Sequence, residues 1–326
     1  MRAWKAALGI VAVLALAVGV ALAFAPFVFA DLFRILPSLH IRPTPPPLIA
    51  GGTPPGPALG SVVDGYWRVQ QIGPSTWAIG EPQGDPDNYE YLLVGQARAL
   101  LIDAGSTARD IHPALRTVTG LPVTVIPTHL HFDHTNGLRN FRDIALIDLP
   151  ETRARVGGDG RVHLGHYEYL GGPGAHPPPF IVSQWVRPGG WIDLGGRRVQ
   201  VLWTPGHTAT SVSLFDPAAK RLFTGDLIYP TSLYAFQPDS SLSAYLATID
   251  RLLAMLPADT VIYGAHCCRN DVPPQAPWLG ADDLRDVERA IRNIEAGHAK
   301  SVGFLLRRYP VNRRMTFLTF YPLANR

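Results

Sequence analysis

Four side chains of metal-binding type lie within six consecutive residues in the middle of this chain. The segment 128–134 has the sequence THLHFDH and directly follows the largely apolar run 123–127. A short apolar run of this kind is typical of a buried strand, so we expect the cluster on the loop at the strand's C-terminal end. Imidazole and carboxylate groups suit zinc and similar divalent ions. Every second side chain of an extended segment points to the same side, so His129 and His131 can bind one ion. Asp133 and His134 lie on the following bend and can reach a second ion.

Three later segments share one layout, in which a strand-like run ends at a turn of small residues that carries one ligand-type side chain. The three side chains in these turns are His207, Asp226 and His266. A zinc site needs about four ligands, and a catalytic site leaves one position to water. The repeated layout therefore predicts that distant segments complete a site for two ions.

The order of these residues resembles that of the metallo-β-lactamase superfamily, whose pattern is HxHxDH followed by a His, a bridging Asp and a final His. The resemblance covers roughly residues 63–266. It implies an α+β fold, the four-layer αββα metallo-β-lactamase sandwich, and two divalent metal ions, with zinc expected and iron or manganese also suited to such sites. The ligands that it implies are His129, His131 and His207 for the first ion, Asp133, His134 and His266 for the second, and Asp226 for both.

Three further residues are expected to support the ligands. The segment 101–105, LIDAG, resembles the family's earliest motif, in which the aspartate, here Asp103, supports the metal loop. Thr128 and Thr204 begin two of the ligand-bearing loops, and we place them in the same supporting role.

Two divalent ions a few ångströms apart can share a hydroxide and so provide a nucleophile near neutral pH. We expect Asp133 to orient this nucleophile and the first ion to stabilise the oxyanion. Tyr229 is a candidate donor of a hydrogen bond to that oxyanion, although a lone tyrosine in the apolar loop 227–236 is equally well explained by packing.

The bridging aspartate separates this chain from true β-lactamases, which as a family use a different residue at that point. The lactonase, glyoxalase II, thioesterase and phosphodiesterase branches share it. The aromatic loop 227–236, which directly follows Asp226, suits an acyl chain or a hydrophobic ring. We therefore expect a metal-dependent hydrolase of an ester-type bond, in a lactone or thioester with an apolar part. Phosphodiester and β-lactam hydrolysis are the alternatives.

Residues 6–30 carry no charged side chain and are long enough to cross a hydrocarbon core of about 30 Å. Arg2 and Lys5 precede them, which favours a cytoplasmic N-terminus and a catalytic domain on the far side of the membrane. The alternative is a signal peptide cleaved after 21–23, which leaves a secreted protein. The expected organisation is a membrane anchor or signal segment over 1–36, a Pro/Gly-rich linker over 37–62 and a hydrolase domain over 63–326.

The net charge of +3 is nearly balanced and no basic stripe is visible, so we expect a small-molecule substrate and no nucleic acid. The segment 157–185 is rich in Gly, Pro and aromatic residues and is a candidate lid. Its histidines, His163, His166 and His176, are better explained as surface residues than as ligands. Strands are predicted near 66–72, 76–79, 89–94, 99–103 and 314–320, and helices over 107–119, 242–255 and 281–299.

Overall fold

A computed structural model describes the chain over residues 60–320, apart from 82–86, 166–167, 169–177, 268–275 and 304–305. The predicted membrane segment 6–30 and nearly all of the predicted linker lie outside the described residues. Among the residues that are described, no helix has both the length and the apolar composition that a membrane crossing requires. Contacts between Cα atoms divide the chain into residues 1–44 and 45–326, and every described residue belongs to the second unit.

The first sheet consists of seven described strands. They are β1 (Ser61–Val63), β2 (Trp67–Gly73), β3 (Thr76–Glu81), β4 (Asp87–Val94), β5 (Ala99–Ile102), β6 (Val123–Ile126) and β15 (His266–Cys267). Strands β1 to β5 pair antiparallel in chain order, and β6 pairs parallel with β5. The short strand β15 pairs antiparallel with the beginning of β4.

The second sheet has six described strands in the order β16-β14-β12-β11-β10-β9. They are β9 (Trp191–Asp193), β10 (Arg198–Trp203), β11 (Val212–Asp216), β12 (Arg221–Phe223), β14 (Val261–Tyr263) and β16 (Trp278–Leu279). Two smaller sheets join β7 (Ala145–Ile147) to β8 (Gln184–Val186), and β13 (Ser232–Tyr234) to β18 (Thr316–Phe320) and β17 (Leu306–Pro310).

The described helices are α1 (His112–Val118), α2 (Phe132–Thr135), α3 (Pro150–Arg153), α4 (Leu242–Met255) and α5 (Ala281–Glu295), with a 3₁₀ turn at Asn136–Asn140. Ser241 caps α4 by accepting a hydrogen bond from the Ala244 amide, and α4 has the predicted bounds. The helix predicted over 107–119 begins only at His112, because Pro113 is tolerated only in a first turn. The helix predicted over 281–299 ends early because Gly297 adopts a φ of 73°, which stops a helix.

Three apolar clusters hold the layers together. The cluster between the two sheets includes Tyr91 and Phe223, whose ring centroids are 4.9 Å apart. A second cluster packs α4 and α5 on the outer face of the second sheet, and a third packs α1 on the outer face of the first. Burial of each large side chain contributes about 1.5–3 kcal/mol. The predicted α+β sandwich of four layers is therefore confirmed.

The strand directions bring the ligand-bearing loops to shared edges. Strands β5 and β6 are parallel, so Asp103 and the segment 129–134 follow at the same end of the first sheet. Strands β10, β12 and β14 share one direction, because β10 and β12 both pair antiparallel with β11 and β14 pairs parallel with β12. His207, Asp226 and His266 therefore leave the second sheet at one edge.

The candidate lid is only partly described. Val162 and Phe180 pair with each other and are buried against the outer face of the first sheet. The His163 imidazole lies 3.0 Å from the Asp159 carboxylate and is about half exposed, as expected of a surface residue. His166 and His176 lie outside the described residues, and the lid itself stays a prediction.

Gly225 allows the turn between β12 and Asp226, since its φ is 52° and an added Cβ would lie 2.3 Å from Thr128 Oγ1. Gly65 has a similar φ of 61°, with no atom within 4 Å of such a Cβ.

We predict that Gly65→Ala lowers the free energy of unfolding only by the left-handed backbone strain of about 1–2 kcal/mol, and that Gly225→Ala lowers it by clearly more. Urea unfolding of both variants measures the difference. Equal losses of stability would show that the contact with Thr128 is unimportant.

Candidate metal centre

All seven side chains that the resemblance assigns to metals converge in the folded chain. Their nitrogen and oxygen atoms form two groups, and within each group the atoms lie within 4.8 Å of one another. Asp226 belongs to both groups. The members are His129, His131, His207 and Asp226 in the first group, and Asp133, His134, His266 and Asp226 in the second.

The first group places three imidazoles around one point. His131 Nδ1 lies 2.8 Å from His129 Nε2 and 3.1 Å from His207 Nε2. Burial, together with the neighbouring His207, lowers the pKa of His131 to about 3. Burial and the adjacent imidazoles also hold the pKa of His129 well below its ordinary value. His129 and His131 therefore favour the neutral form, which metal coordination requires.

The second group is richer in charge. The Asp133 carboxylate lies 3.7 Å from His134 Nε2 and 3.4 Å from His266 Nε2. Burial alone would raise the pKa of Asp133, but His134 and His266 outweigh it and lower the pKa to about 2. Burial alone would lower the pKa of His266, but Asp226 and Asp133 raise it to about 10. An incoming cation therefore has to displace protons from this group.

Asp226 connects the two groups through its two carboxylate oxygens. Oδ1 lies 3.4 Å from His134 Nε2 and 3.1 Å from His266 Nε2. Oδ2 lies 3.5 Å from His207 Nε2 in the first group. The Tyr245 hydroxyl has one hydrogen, which it shares between the main-chain carbonyl of Leu227 and, at 3.1 Å, that of Asp226, and it thereby restrains this turn. One oxygen of Asp226 therefore faces each group.

The residues present fit divalent cations. His134 Nε2 and Asp226 Oδ1 are buried and have no hydrogen-bond partner among the described residues. Burial of polar atoms without a partner is costly, and a cation between them would remove that cost. Imidazole and carboxylate donors of this kind suit zinc and related divalent ions.

Asp103 and Thr128 support the second group. The Asp103 carboxylate accepts hydrogen bonds from the Thr128 amide at 2.6 Å and from the Thr128 hydroxyl at 3.0 Å. Its Oδ2 also lies 2.9 Å from His134 Nδ1, which leaves His134 Nε2 directed at the metal position. Asp103 holds a strained φ of 65°, and such strain persists only where surrounding contacts impose it. This geometry agrees with the predicted supporting roles.

Thr204 supports the turn that precedes His207, because its hydroxyl lies 2.9 Å from the hydroxyl of Ser213 on β11.

The imidazole of His207 is oriented by groups other than Thr204. Its Nδ1 lies 2.8 Å from the Tyr234 carbonyl, and its own carbonyl accepts from Ser240 Oγ at 2.6 Å. Since Nδ1 donates to that carbonyl, Nε2 keeps its lone pair for a cation.

Tyr229 was predicted either to donate to the oxyanion or to serve in packing. Its hydroxyl donates to the Ser232 carbonyl at 2.7 Å, and its ring packs edge-on against His266 with centroids 5.2 Å apart. Burial, followed by the charge of Asp226, raises the pKa of Tyr229 well above its ordinary value. The geometry gives Tyr229 a packing role and no support as an oxyanion donor, because its only hydrogen atom is already engaged.

Several residues beside the metal groups were not predicted from the sequence. Glu81, Asn88 and Glu90 form a buried polar cluster, and the Asn88 amide donates to the Asp133 carbonyl at 2.7 Å. The available signal was the presence of glutamates within otherwise apolar strands, which indicates a specific role for a buried charge.

We predict that Asp226→Ala weakens the binding of both ions, by at least about tenfold each, because both groups share this carboxylate. The matched control is His163→Ala, which removes an exposed imidazole and should bind zinc like the wild type. Titration of the metal-free proteins with zinc, in competition with a chromophoric chelator, measures both affinities. Binding of two ions with wild-type affinity by Asp226→Ala would refute the shared role.

Comparison with known proteins agrees with this geometry. The model of the metallo-beta-lactamase superfamily matches residues 89–266. The acyl-coenzyme A thioesterase MBLAC2 of Gallus gallus is 32% identical over 185 residues, which cover 51% of this chain and 66% of that protein. The hydroxyacylglutathione hydrolase of Aeromonas hydrophila is 28% identical over 185 residues, 55% of this chain and 61% of the relative. The matches therefore span about two thirds of these relatives' lengths or less.

Solved structures share the fold. The metallo-beta-lactamase from Pontibacter korlensis has a TM-score of 0.54 and 19% identity, and the match covers 70% of this chain and 99% of that one. The DIM-1 metallo-beta-lactamase has a TM-score of 0.52 and 13% identity, and the match covers 72% of this chain and 100% of that one. The relatives that are named thioesterase and hydrolase confirm the predicted class of metal-dependent hydrolase and are consistent with a branch other than the β-lactamases. The chain belongs to the metallo-β-lactamase superfamily.

Proposed function

We propose that this protein is a dinuclear zinc hydrolase that cleaves an ester-type bond, a thioester in preference to a lactone, in a substrate with an apolar acyl group. The observation that carries the proposal is the position of Asp226, with one carboxylate oxygen toward each histidine group. A carboxylate shared in this way holds two cations close together and offsets their repulsion.

Two bound divalent ions supply a water that is nucleophilic near neutral pH and a positive charge for the carbonyl oxygen of the substrate. Asp133 is the most exposed of the seven side chains, at 22%, so substrate and water reach the site from its side. Its carboxylate can accept a hydrogen bond and so orient the attacking group. The first group contains one carboxylate and the second contains two, which favours placing the substrate carbonyl at the first group.

Three aromatic rings, here called the aromatic wall, follow the segment that orients His207. The wall consists of Tyr234, Phe236 and Phe320, with ring centroids 5.2 Å apart for the first pair and 5.7 Å for the second. The wall begins at the residue whose carbonyl orients His207, and its rings are half-buried. Partly exposed aromatic rings beside a polar centre suit an apolar acyl chain. The acyl substrates in the names of the two curated relatives support the same choice.

We further propose that residues 6–30 anchor the protein in a membrane, that 37–62 form a linker and that the hydrolase domain lies on the extracytoplasmic side. The uncharged segment and the preceding Arg2 and Lys5 support this arrangement.

We predict that the purified, zinc-loaded protein hydrolyses acyl thioesters, with kcat/KM rising with the length of the acyl chain. A panel of short- and long-chain thioesters, a lactone, a phosphodiester and a chromogenic β-lactam measures the preference. Asp133→Ala should lower the turnover of every substrate by roughly 100-fold or more, because it removes the group that orients the nucleophile. Turnover of only the phosphodiester or the β-lactam would contradict the proposed substrate class.

Phe236→Ala provides the control for the acyl site. It should lower the ratio of kcat/KM for long-chain thioesters to kcat/KM for short-chain thioesters by roughly tenfold, which corresponds to about 1.4 kcal/mol of binding free energy. The kcat/KM of the short-chain thioester itself should not change. An unchanged ratio would show that the aromatic wall does not bind the acyl chain, and it would not contradict the proposed metal site.

For the membrane anchor, we predict that the full chain stays in the membrane fraction during alkaline extraction. Leu14→Arg combined with Leu16→Arg should release it, since each charge near the centre of a span costs about 2.5–3.5 kcal/mol. A protease added to cells whose outer envelope has been removed, with the cytoplasmic membrane intact, should reach the wild-type domain. Release of the wild-type chain by alkali, or protection of its domain from the protease, would contradict the arrangement.

A further inference from the structure

A buried cluster of two carboxyl groups and an amide lies behind the second metal group. It consists of Glu81, Asn88 and Glu90, each at most 2% exposed. Glu81 and Asn88 are direct partners across the β3–β4 pair, and Glu90 follows on β4. Carboxyl groups are rarely buried unless they are paired, so the cluster needs a physical explanation.

The Asn88 side chain links this cluster to the metal loop. Asn88 Nδ2 lies 2.7 Å from the Asp133 carbonyl, 3.1 Å from Glu90 Oε1 and 3.4 Å from Glu81 Oε2. All three neighbours are oxygen atoms, which fixes the amide with its nitrogen toward them. The shortest of the three contacts is the one to the ligand residue Asp133.

The Asp133 carbonyl needs a donor from outside its helix. Helix α2 has only four residues, and the last four carbonyls of any helix find no donor inside it. Asn88 donates to the carbonyl of Asp133, and the Ala104 amide donates to the carbonyl of His134 at 3.0 Å. These two bonds set the direction of the short helix that carries two ligands.

The main chain of Asn88 also contacts a second ligand segment. Asn88 is the register partner of His266 in the pairing of β4 with β15, and the neighbouring Tyr89 amide donates to the Ala265 carbonyl at 2.8 Å. Asn88 therefore donates to Asp133 and lies opposite His266 in the sheet, and both of these residues belong to the second group. No described hydrogen bond joins Asn88 to a residue of the first group.

The two glutamates hold the amide in place. Glu81 Oε2 accepts from the Ser106 amide at 2.7 Å and from the Ser106 hydroxyl at 2.6 Å, and Thr107 lies 3.3 Å from Oε1. Burial, followed by the charges of Glu81 and Asp103, raises the pKa of Glu90 well above its ordinary value. Glu81 is thus held by Ser106 and Thr107, and Glu90 by its contact with the Asn88 amide.

We propose that Asn88 is a positioning residue for the second metal ion, and that its amide fixes the main chain of Asp133 and thereby the direction of the Asp133 carboxylate toward His266. Glu81 and Glu90 fix the rotamer of that amide. The inference rests on the proposed dinuclear site and goes beyond it, because it assigns unequal dependence on Asn88 to the two ions.

The test compares zinc binding by the full-length wild type, Asn88→Ala and Asn88→Ser. The serine hydroxyl of Asn88→Ser can still donate to the glutamates, but its side chain is too short to reach the Asp133 carbonyl. This variant therefore provides a folded protein for the test if Asn88→Ala is unstable. We expect the second ion to bind at least about tenfold more weakly in both variants and the first ion to bind as in the wild type. Competition titration measures each step, and thermal unfolding checks the fold.

Asn312→Ala is the matched control. Asn312 also bridges two carboxylates, Asp283 and Asp286, at 3.1 and 3.0 Å, but it contacts no metal ligand in the described part of the chain. This variant should lose stability and keep both zinc affinities. Wild-type affinity for the second ion in folded Asn88→Ser, or equal weakening of both ions, would overturn the inference. A wild type that binds only one ion would contradict the dinuclear proposal itself.

Discussion

The carboxylate of Asp226 is the interaction on which this site depends. It is buried between two histidine groups, and each of its oxygens faces a different group at 3.1–3.5 Å. Burial works against this charge, yet His266 and His134 keep the pKa of Asp226 well below its ordinary value. A buried charge of this kind is stable only when it is paired, so the positions of the histidines and of Asp226 determine each other.

The two groups differ in charge, and this difference has a chemical consequence. The first group adds three imidazoles to Asp226, whereas the second also contains Asp133 and is supported by Asp103. With fewer carboxylates, the first position is the one that we propose for the substrate carbonyl, and the second is the one that we propose for the nucleophile. The aromatic wall begins at Tyr234, whose carbonyl orients His207 of the first group, and we propose it as the site of the apolar acyl chain.

Much of this architecture could be predicted from the sequence, because metal ligands at strand ends leave a local pattern. The segment 129–134 and the turns after later strands indicate, without any tertiary information, the seven side chains that the fold brings together. The Asn88 cluster could not be predicted, since its partners lie 2 to 45 residues away and side-chain alternation along a strand does not reveal them. Tyr229 was ambiguous for the same reason, because the partner of a hydroxyl depends on the packed loop. The bounds of α1 were set by Pro113, a local signal.

Anomalous X-ray diffraction from crystals of the zinc-loaded protein, recorded at the zinc edge, tests the central claim most directly. The account predicts two peaks about 3.5–4 Å apart with one oxygen of Asp226 directed at each. A single peak, or two peaks that Asp226 does not join, would contradict it.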